Sequence, residues 1–198
     1  KLLPMADFVV DFHSGGKTLD FLPFCCAHVL DDKDQQEKCI AAMKAFNAPH
    51  SVMLLEIDAV SMYDTAAENM GKVFISTELG GGGSTTAYTV EIAKKGIRNI
   101  LRHAGITEGD LEVDETLNLD MPDDNCYIFS ESTGLVEHCV DLGDEVKSGQ
   151  LIAKVHNIER TGSHPDEYHA KIDGIFTGKH FPGLVVNGDF LGVIAVPV

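Results

Sequence analysis

Two residues stand where an apolar run of the sequence gives way to a glycine-containing turn. His13 follows the run Phe8–Phe12, and Glu78 follows the run 72–77. A neutral imidazole is a good zinc ligand, and zinc lowers the pKa of a bound water to about 7. A glutamate beside that water can take its proton and return it to a leaving amine. Together these two side chains are the minimum set for metal-assisted hydrolysis.

Both apolar runs are predicted to be strands of a parallel sheet, because they are short and contain β-branched residues. The carboxyl ends of parallel strands meet at one edge of the sheet, where ligands bind in α/β proteins. We therefore expect His13 and Glu78 to face one crevice. The alternative for His13 is a hydrogen-bonded histidine packed at a strand end, since zinc needs about three protein ligands. The sequence has no HExxH, and its other histidines are scattered: His28, His50, His103, His138, His156, His164, His169 and His180.

The four glycines 80–83 after Glu78 could be a flexible turn or could let the backbone approach a ligand closely. A phosphate loop is excluded, because neither GxGxxG nor GxxxxGK followed by Ser or Thr is present. A glutamate at the start of the loop would also repel phosphate.

The elements around these residues alternate between strand and helix as far as about residue 105. Apolar spacing and capping residues predict helices over 32–46, 63–70 and a long one ending near His103, which Ser84 or Thr85 would cap. Residues 51–57 are predicted to form a further strand. Cys25 and Cys26 are adjacent, and the five cysteines (25, 26, 39, 126, 139) include no CxxC pair. They are interpreted as buried free thiols in a reducing compartment, and we expect a cytoplasmic protein.

The acidic stretch at 107–124 is interpreted as a linker with one strand, and beyond it the sequence predicts short strands joined by tight turns. Residues 134–155 and 173–196 resemble each other, since each has a strand, a Gly-Asp turn and another strand. Two such halves can pack face to face as a β-sandwich. We therefore predict two domains, 1–118 and 119–198.

Composition narrows the possible partners. Fifteen basic and thirty-one acidic residues give a net charge of −16, which argues against binding nucleic acid. The apolar runs are too short to cross a bilayer, and no secretory signal is present. The sequence lacks an initiator methionine and opens just before a core strand. We expect it to be the latter part of a longer protein.

Three segments carry a resemblance to a known family. Asp11-Phe-His-Ser-Gly-Gly16, Thr77-Glu-Leu-Gly-Gly-Gly-Gly83 and the C-terminal Gly-Asp repeat resemble the succinylglutamate desuccinylase/aspartoacylase family of zinc-dependent deacylases. Residues 11–24 and 98–105 resemble more narrowly its ectoine-degradation branch, whose members deacetylate N-acetyl-L-2,4-diaminobutyrate. The resemblance extends over essentially the whole chain.

The resemblance implies an α/β fold with a zinc-carboxypeptidase-like mixed sheet flanked by helices, followed by an all-β barrel or sandwich similar to biotinyl/lipoyl modules. It implies Zn²⁺ as the cofactor, His13 as the third zinc ligand and Glu78 as general base and proton shuttle. The other two ligands come from an upstream HxxE, and a substrate arginine also lies upstream; we expect this sequence to contain neither the HxxE nor that arginine segment. We expect the intact protein to be an amidohydrolase and this chain alone to be inactive and a weak zinc binder.

The expected partner is a small N-acyl amino acid, and the expected assembly is a homo-oligomer. Asp20 could pair with the free amine of a diamino acid or could be a structural capping residue. Three other functions stay open. A carrier module is disfavoured because the connection 157–168 has no lysine, and a serine hydrolase is disfavoured because no GxSxG is present. The third is a non-catalytic chain without the HxxE half.

Overall fold

The computed structural model describes residues 1–54, 62–160 and 162–198, and it is a mixed α/β structure with few helices. It divides into two compact units, each built from several segments. The first unit comprises residues 1–13, 23–79 and 86–119, and the second comprises 14–22, 80–85 and 120–198.

The described part of the chain contains fourteen strands and three α-helices. In chain order they are β1 (Phe8–Asp11), β2 (Leu19–Phe21), β3 (Phe24–His28), α1 (Lys33–Phe46), β4 (His50–Leu54), α2 (Tyr63–Glu68), β5 (Val73–Glu78), α3 (Ala87–His103), β6 (Leu117–Asp120), β7 (Tyr127–Phe129), β8 (Gly134–His138), β9 (Glu145–Val146), β10 (Leu151–His156), β11 (Asp166–His169), β12 (Gly174–His180), β13 (Leu184–Val185) and β14 (Phe190–Pro197).

The first unit contains a mixed sheet in the order β1-β5-β3-β4-β6. Strands β1 and β5 run parallel, as predicted, with Asp11 opposite Ser76. Strand β3 runs antiparallel to β5, placing Phe24 opposite Glu78, and parallel to β4. The edge strand β1 is half-buried at every position, because β5 is its one strand partner among the described residues.

Helices α1 and α3 pack together and cover the hydrophobic core of this sheet. The core joins buried side chains from β3, β5 and both helices: Cys25, Ala27, Ile75, Met43, Phe46, Ile92 and Ile100. Helix α1 begins as predicted, because the Asp32 carboxylate accepts hydrogen bonds from the backbone of Asp34 and Gln35.

Several boundaries differ from the sequence prediction. Helix α3 is capped by Thr86 and not by Ser84 or Thr85, because Thr86 and Thr89 exchange side-chain-to-backbone hydrogen bonds in a capping box. Strand β3 was not predicted; it is buried at every position and therefore shows no polar alternation. Within 51–57, only the part up to Leu54 lies in the described residues, where it belongs to β4.

The acidic stretch 107–124 contains one strand, β6, as expected. The part before β6 is fastened to the first unit and is not a linker. The buried Asn99 side chain bonds both the N–H and the C=O of Glu112, each at 2.8 Å. Asn47, the left-handed residue that ends α1, bonds the backbone of Asp114 and the hydroxyl of Thr116. Four cysteines are buried free thiols as expected, but Cys139 is exposed.

In the second unit, the repeated halves are built as predicted from strand, Gly-Asp turn and strand. The glycines of the two turns, Gly143 and Gly188, share positive φ angles of 96° and 94°. The short strand of each half pairs outside its own half: β9 pairs with β12, and β13 pairs with β8. The two sheets of the unit enclose one core, which includes Val146, Ile152, Phe176, Val185 and Ile194.

Candidate functional site

The backbone of His13 is hydrogen-bonded to the residues on both sides of Glu78. Its N–H donates to the hydroxyl of buried Thr77 at 3.0 Å, and its C=O accepts from the N–H of Leu79 at 3.0 Å. These bonds continue the parallel pairing of β1 with β5 beyond the strand ends. The structure therefore brings the two sequence-predicted residues together at one edge of the sheet.

The ring of His13 is oriented by a neighbouring carboxylate. Its Nδ1 lies 3.3 Å from Oδ2 of Asp11, and 59% of its side chain is exposed. An ionised carboxylate can only accept, so this contact assigns the proton to Nδ1 and leaves the lone pair of Nε2 available. Metal-binding histidines almost always donate their other ring N–H to a carboxylate, a backbone carbonyl or a water.

Glu78 is the last residue of β5, and most of its side chain is buried. Burial, and then the negative charge of Asp11, raises the pKa of its carboxyl from 4.5 to about 8. Its Oε2 is buried and has no hydrogen-bond partner within the described part of the chain. A cation near Glu78 would satisfy that oxygen and favour the charged carboxylate. An imidazole nitrogen and a carboxylate suit a zinc ion and its bound water. These residues therefore fit the part of a zinc site that they would supply.

Two residues near this pair were missed by the sequence analysis. Asp11 interrupts an apolar run, and that lone charge was the signal that could have identified it. Tyr63, at the start of α2, faces Asp11: burial, then the charge of Asp11 and a side-chain hydrogen bond to it, raise the pKa of the Tyr63 phenol. No sequence pattern links Tyr63 to β1, because their proximity arises from the fold alone.

The glycine run is explained by close backbone packing within the second unit. Gly83 donates to the carbonyl of Gly16 at 2.6 Å, and Gly82 donates to that of Leu19 at 3.0 Å. A Cβ at Gly81 would lie 2.0 Å from the carbonyl oxygen of Leu19. The turn interpretation therefore accounts for Gly81 without a ligand.

Asp20 lies in the second unit, within strand β2. Its cross-strand partner is Lys179 of β12. Residues directly opposite each other in an antiparallel pair share one face of the sheet. A cationic side chain of the protein itself thus stands beside this carboxylate.

The residues that the structure describes contain no group of three His, Cys, Asp or Glu side chains that could hold a metal ion. The expectation that the sequence contains no His-x-x-Glu is wrong, because this spacing occurs at His156–Glu159 and His164–Glu167. Both belong to the second unit, and His156 is paired with Glu137 at 2.7 Å. No helix in the described ranges is long and apolar enough to cross a membrane.

Comparison with known proteins gives a family and close structural relatives. Residues 1–104 match the model of the succinylglutamate desuccinylase/aspartoacylase catalytic domain. The N-alpha-acetyl-L-2,4-diaminobutyric acid deacetylase of Halomonas elongata is 49% identical over 196 residues, which are 98% of this chain and 57% of that protein.

Two solved structures superpose closely on the chain. The ectoine utilization protein EutE of Ruegeria pomeroyi, in a product-bound structure, has a TM-score of 0.97 and 59% identity, covering 99% of this chain and 60% of its own. A succinylglutamate desuccinylase of a Silicibacter species has a TM-score of 0.95 and 56% identity, covering 100% and 60%. The chain thus spans about three fifths of the length of these relatives.

Proposed function

Because this chain belongs to the succinylglutamate desuccinylase/aspartoacylase family, we propose that it is part of a zinc-dependent deacylase that cleaves the amide bond of N-acetyl-L-2,4-diaminobutyrate. The name of the Halomonas relative supports that substrate, and the ectoine utilization protein supports the pathway. The observation that carries the chemistry is the backbone bonding of His13 to the neighbours of Glu78. A related enzyme acting on another acyl amino acid is the alternative within the family.

The proposed mechanism assigns one role to each described side chain. When bound, zinc would lower the pKa of the attacking water to about 7 and polarise the amide carbonyl. His13 would hold it through Nε2, with Asp11 fixing the ring through Nδ1. Glu78 would accept the proton of the attacking water and deliver it to the leaving amine. The positive charge of bound zinc would favour the ionised form of Glu78, which is the form that accepts this proton.

No HxxE precedes His13 in residues 1–198. Of the three zinc ligands expected from the family resemblance, His13 is therefore the one that this chain supplies. We therefore propose that this chain alone binds zinc weakly and is inactive. Residues 1–118 would belong to a zinc-carboxypeptidase-like domain. Residues 119–198 would form a β-barrel or sandwich domain similar to a biotinyl/lipoyl module, in a homo-oligomeric enzyme.

Asp20 is the proposed contact for the free amine of the substrate. Replacing it with alanine in the native enzyme should raise KM for the diamino substrate more than KM for an acetylated amino acid with a neutral side chain. Equal changes in the two KM values would remove Asp20 from substrate recognition.

The proposed function is tested in the native protein that contains this chain, with release of amine from N-acetyl-L-2,4-diaminobutyrate as the assay. A zinc chelator should abolish activity, and added zinc should restore it. Glu78→Gln should lower kcat by about 10²–10⁴-fold with zinc content unchanged, whereas the exposed control Glu108→Gln should not. Activity that persists in chelator, or a Glu78→Gln enzyme with normal kcat, would contradict the proposal.

A further inference from the structure

Tyr63 is the first residue of α2, and its ring is held against the sheet. It packs edge-on against Phe74 of β5, with ring centroids 5.6 Å apart and an interplanar angle of 79°. Phe74 is buried and cannot give way. The aromatic contact therefore limits the directions in which the phenol can point.

The other end of α2 is anchored to two neighbouring elements. Glu68 lies 2.8 Å from the ring of His28 in β3, and both side chains are buried. Gln35 of α1 donates to the backbone carbonyls of Glu68 and Lys72, each at 2.9 Å. A six-residue helix fixed in this way holds its first residue in a defined place.

Phe74 pairs in register with Val9 of β1, so the face of the sheet on which Tyr63 packs also carries Asp11, two residues further along β1. Burial, the charge of Asp11 and a side-chain hydrogen bond to Asp11 together raise the pKa of the Tyr63 phenol. The same carboxylate lies 3.3 Å from Nδ1 of His13. Asp11 thus receives donors from two elements that are far apart in sequence. Glu78 and Asp64 place further negative charge near this carboxylate or its phenol partner. A neutral donor at the Asp11 carboxylate offsets this repulsion and favours an Asp11 that faces the histidine.

We propose that Tyr63 is a positioning residue for the metal ligand His13, acting through Asp11. This inference rests on the proposed function, since it assumes that His13 binds zinc. Tyr63 is 47% exposed, and the partial burial of its phenol, followed by the charge of Asp11, raises the pKa of that phenol above its ordinary value. It remains a donor throughout the pH range in which such an enzyme would work.

Removing the phenol hydroxyl should weaken zinc binding by His13 and leave the packing of the core unchanged. Tyr63→Phe keeps the packing on Phe74 and removes one donor from Asp11. Changes to the hydrogen-bond partners of metal ligands typically cost about 10- to 100-fold in metal affinity. If Tyr63 contacted the substrate directly instead, Tyr63→Phe would alter KM and leave zinc affinity unchanged.

The experiment measures zinc affinity by chelator competition in the native protein that contains this chain. Tyr63→Phe should weaken zinc binding about 10-fold, and Asp11→Asn should weaken it at least as much. The double variant should bind no more weakly than Asp11→Asn alone, because both changes break one chain of contacts. Tyr88→Phe, at an exposed tyrosine of α3, is the matched control and should bind zinc normally. The melting temperature of the zinc-free Tyr63→Phe protein should equal that of the wild type.

A second readout needs no metal. Nitrogen-15 NMR of the zinc-free protein should report the Nδ1–H form of His13, with a shift toward the other tautomer in Tyr63→Phe. A wild-type protein that binds no zinc would overturn the proposed function and this inference with it. Zinc binding by the wild type together with unchanged zinc affinity in Tyr63→Phe would overturn the inference alone, as would independent effects of Tyr63→Phe and Asp11→Asn.

Discussion

Nδ1 of His28 lies 2.8 Å from Oε1 of Glu68, and only 10% of the first side chain and 8% of the second are exposed. The pair joins β3 to α2 in the first unit. Replacing Glu68 with alanine should lower the free energy of unfolding by about 1–3 kcal/mol, because a buried imidazole loses its charged acceptor.

Chemical denaturation of the purified chain would measure this change. Glu91→Ala is the matched control, since that carboxylate forms an exposed pair with Lys94 and its loss should have no measurable effect. Equal stability of the two variants would contradict the structural role of the His28–Glu68 pair.

Helix α3 approaches α1 closely at Gly96. A Cβ there would lie 2.2 Å from the ring of Phe46, which is fully buried. Alanine normally favours a helix over glycine by about 1 kcal/mol, but overpacking a core costs about 1–3 kcal/mol. Gly96→Ala should therefore lower stability, as measured by denaturant unfolding.

The clash with Phe46 can be tested separately. Gly96→Ala combined with Phe46→Leu should lose less stability than the sum of the two single changes, because the smaller side chain makes room. Strict additivity would show that Phe46 is not what excludes a larger residue at position 96.

The segment after α3 is held in place by hydrogen bonds to its backbone more than by its exposed ion pairs. Asn99 is fully buried and bonds both polar groups of the Glu112 backbone. Asn99→Ala should cost about 1–3 kcal/mol of stability. Glu112→Gln removes only the exposed pairs with Arg98 and Arg102 and should cost less. A larger loss of melting temperature in Glu112→Gln than in Asn99→Ala would show that the ion pairs, and not the Asn99 hydrogen bonds, hold this segment.

The raised pKa of Glu78 predicts how stability depends on pH in the metal-free chain. The folded chain keeps this proton until about pH 8, whereas the unfolded chain releases it near 4.5. Stability should therefore fall as pH rises through this interval, with a slope of at most about 1.4 kcal/mol per pH unit. Glu78→Gln has no such proton to release.

The free energy of unfolding of Glu78→Gln should consequently gain on that of the wild type between pH 5 and pH 8.5. Glu108→Gln, at an exposed position, should show no such gain. A difference between Glu78→Gln and wild type that stays constant over this range would contradict the pKa of Glu78.

The elements that present the candidate pair could be predicted because local signals agree there. Strands β1 and β5 are apolar runs with clear ends, and α1 has a cap at Asp32 and helical apolar spacing. Strand β3 escaped prediction since a strand buried on both faces has no alternation. The contact of Tyr63 with Asp11 could not be predicted, because it depends on where α2 settles on the folded sheet. The fastening of the segment at 112–116 was missed for the same reason.

The central claim is that His13 and Glu78 serve one zinc ion, and its location in crystals of the native protein tests this most directly. Anomalous scattering at the zinc edge should place a metal about 2.0–2.1 Å from Nε2 of His13. The carboxylate of Glu78 should lie within hydrogen-bonding reach of a water on that metal. Zinc bound away from His13, or a Glu78 carboxylate out of reach of its water, would contradict the account.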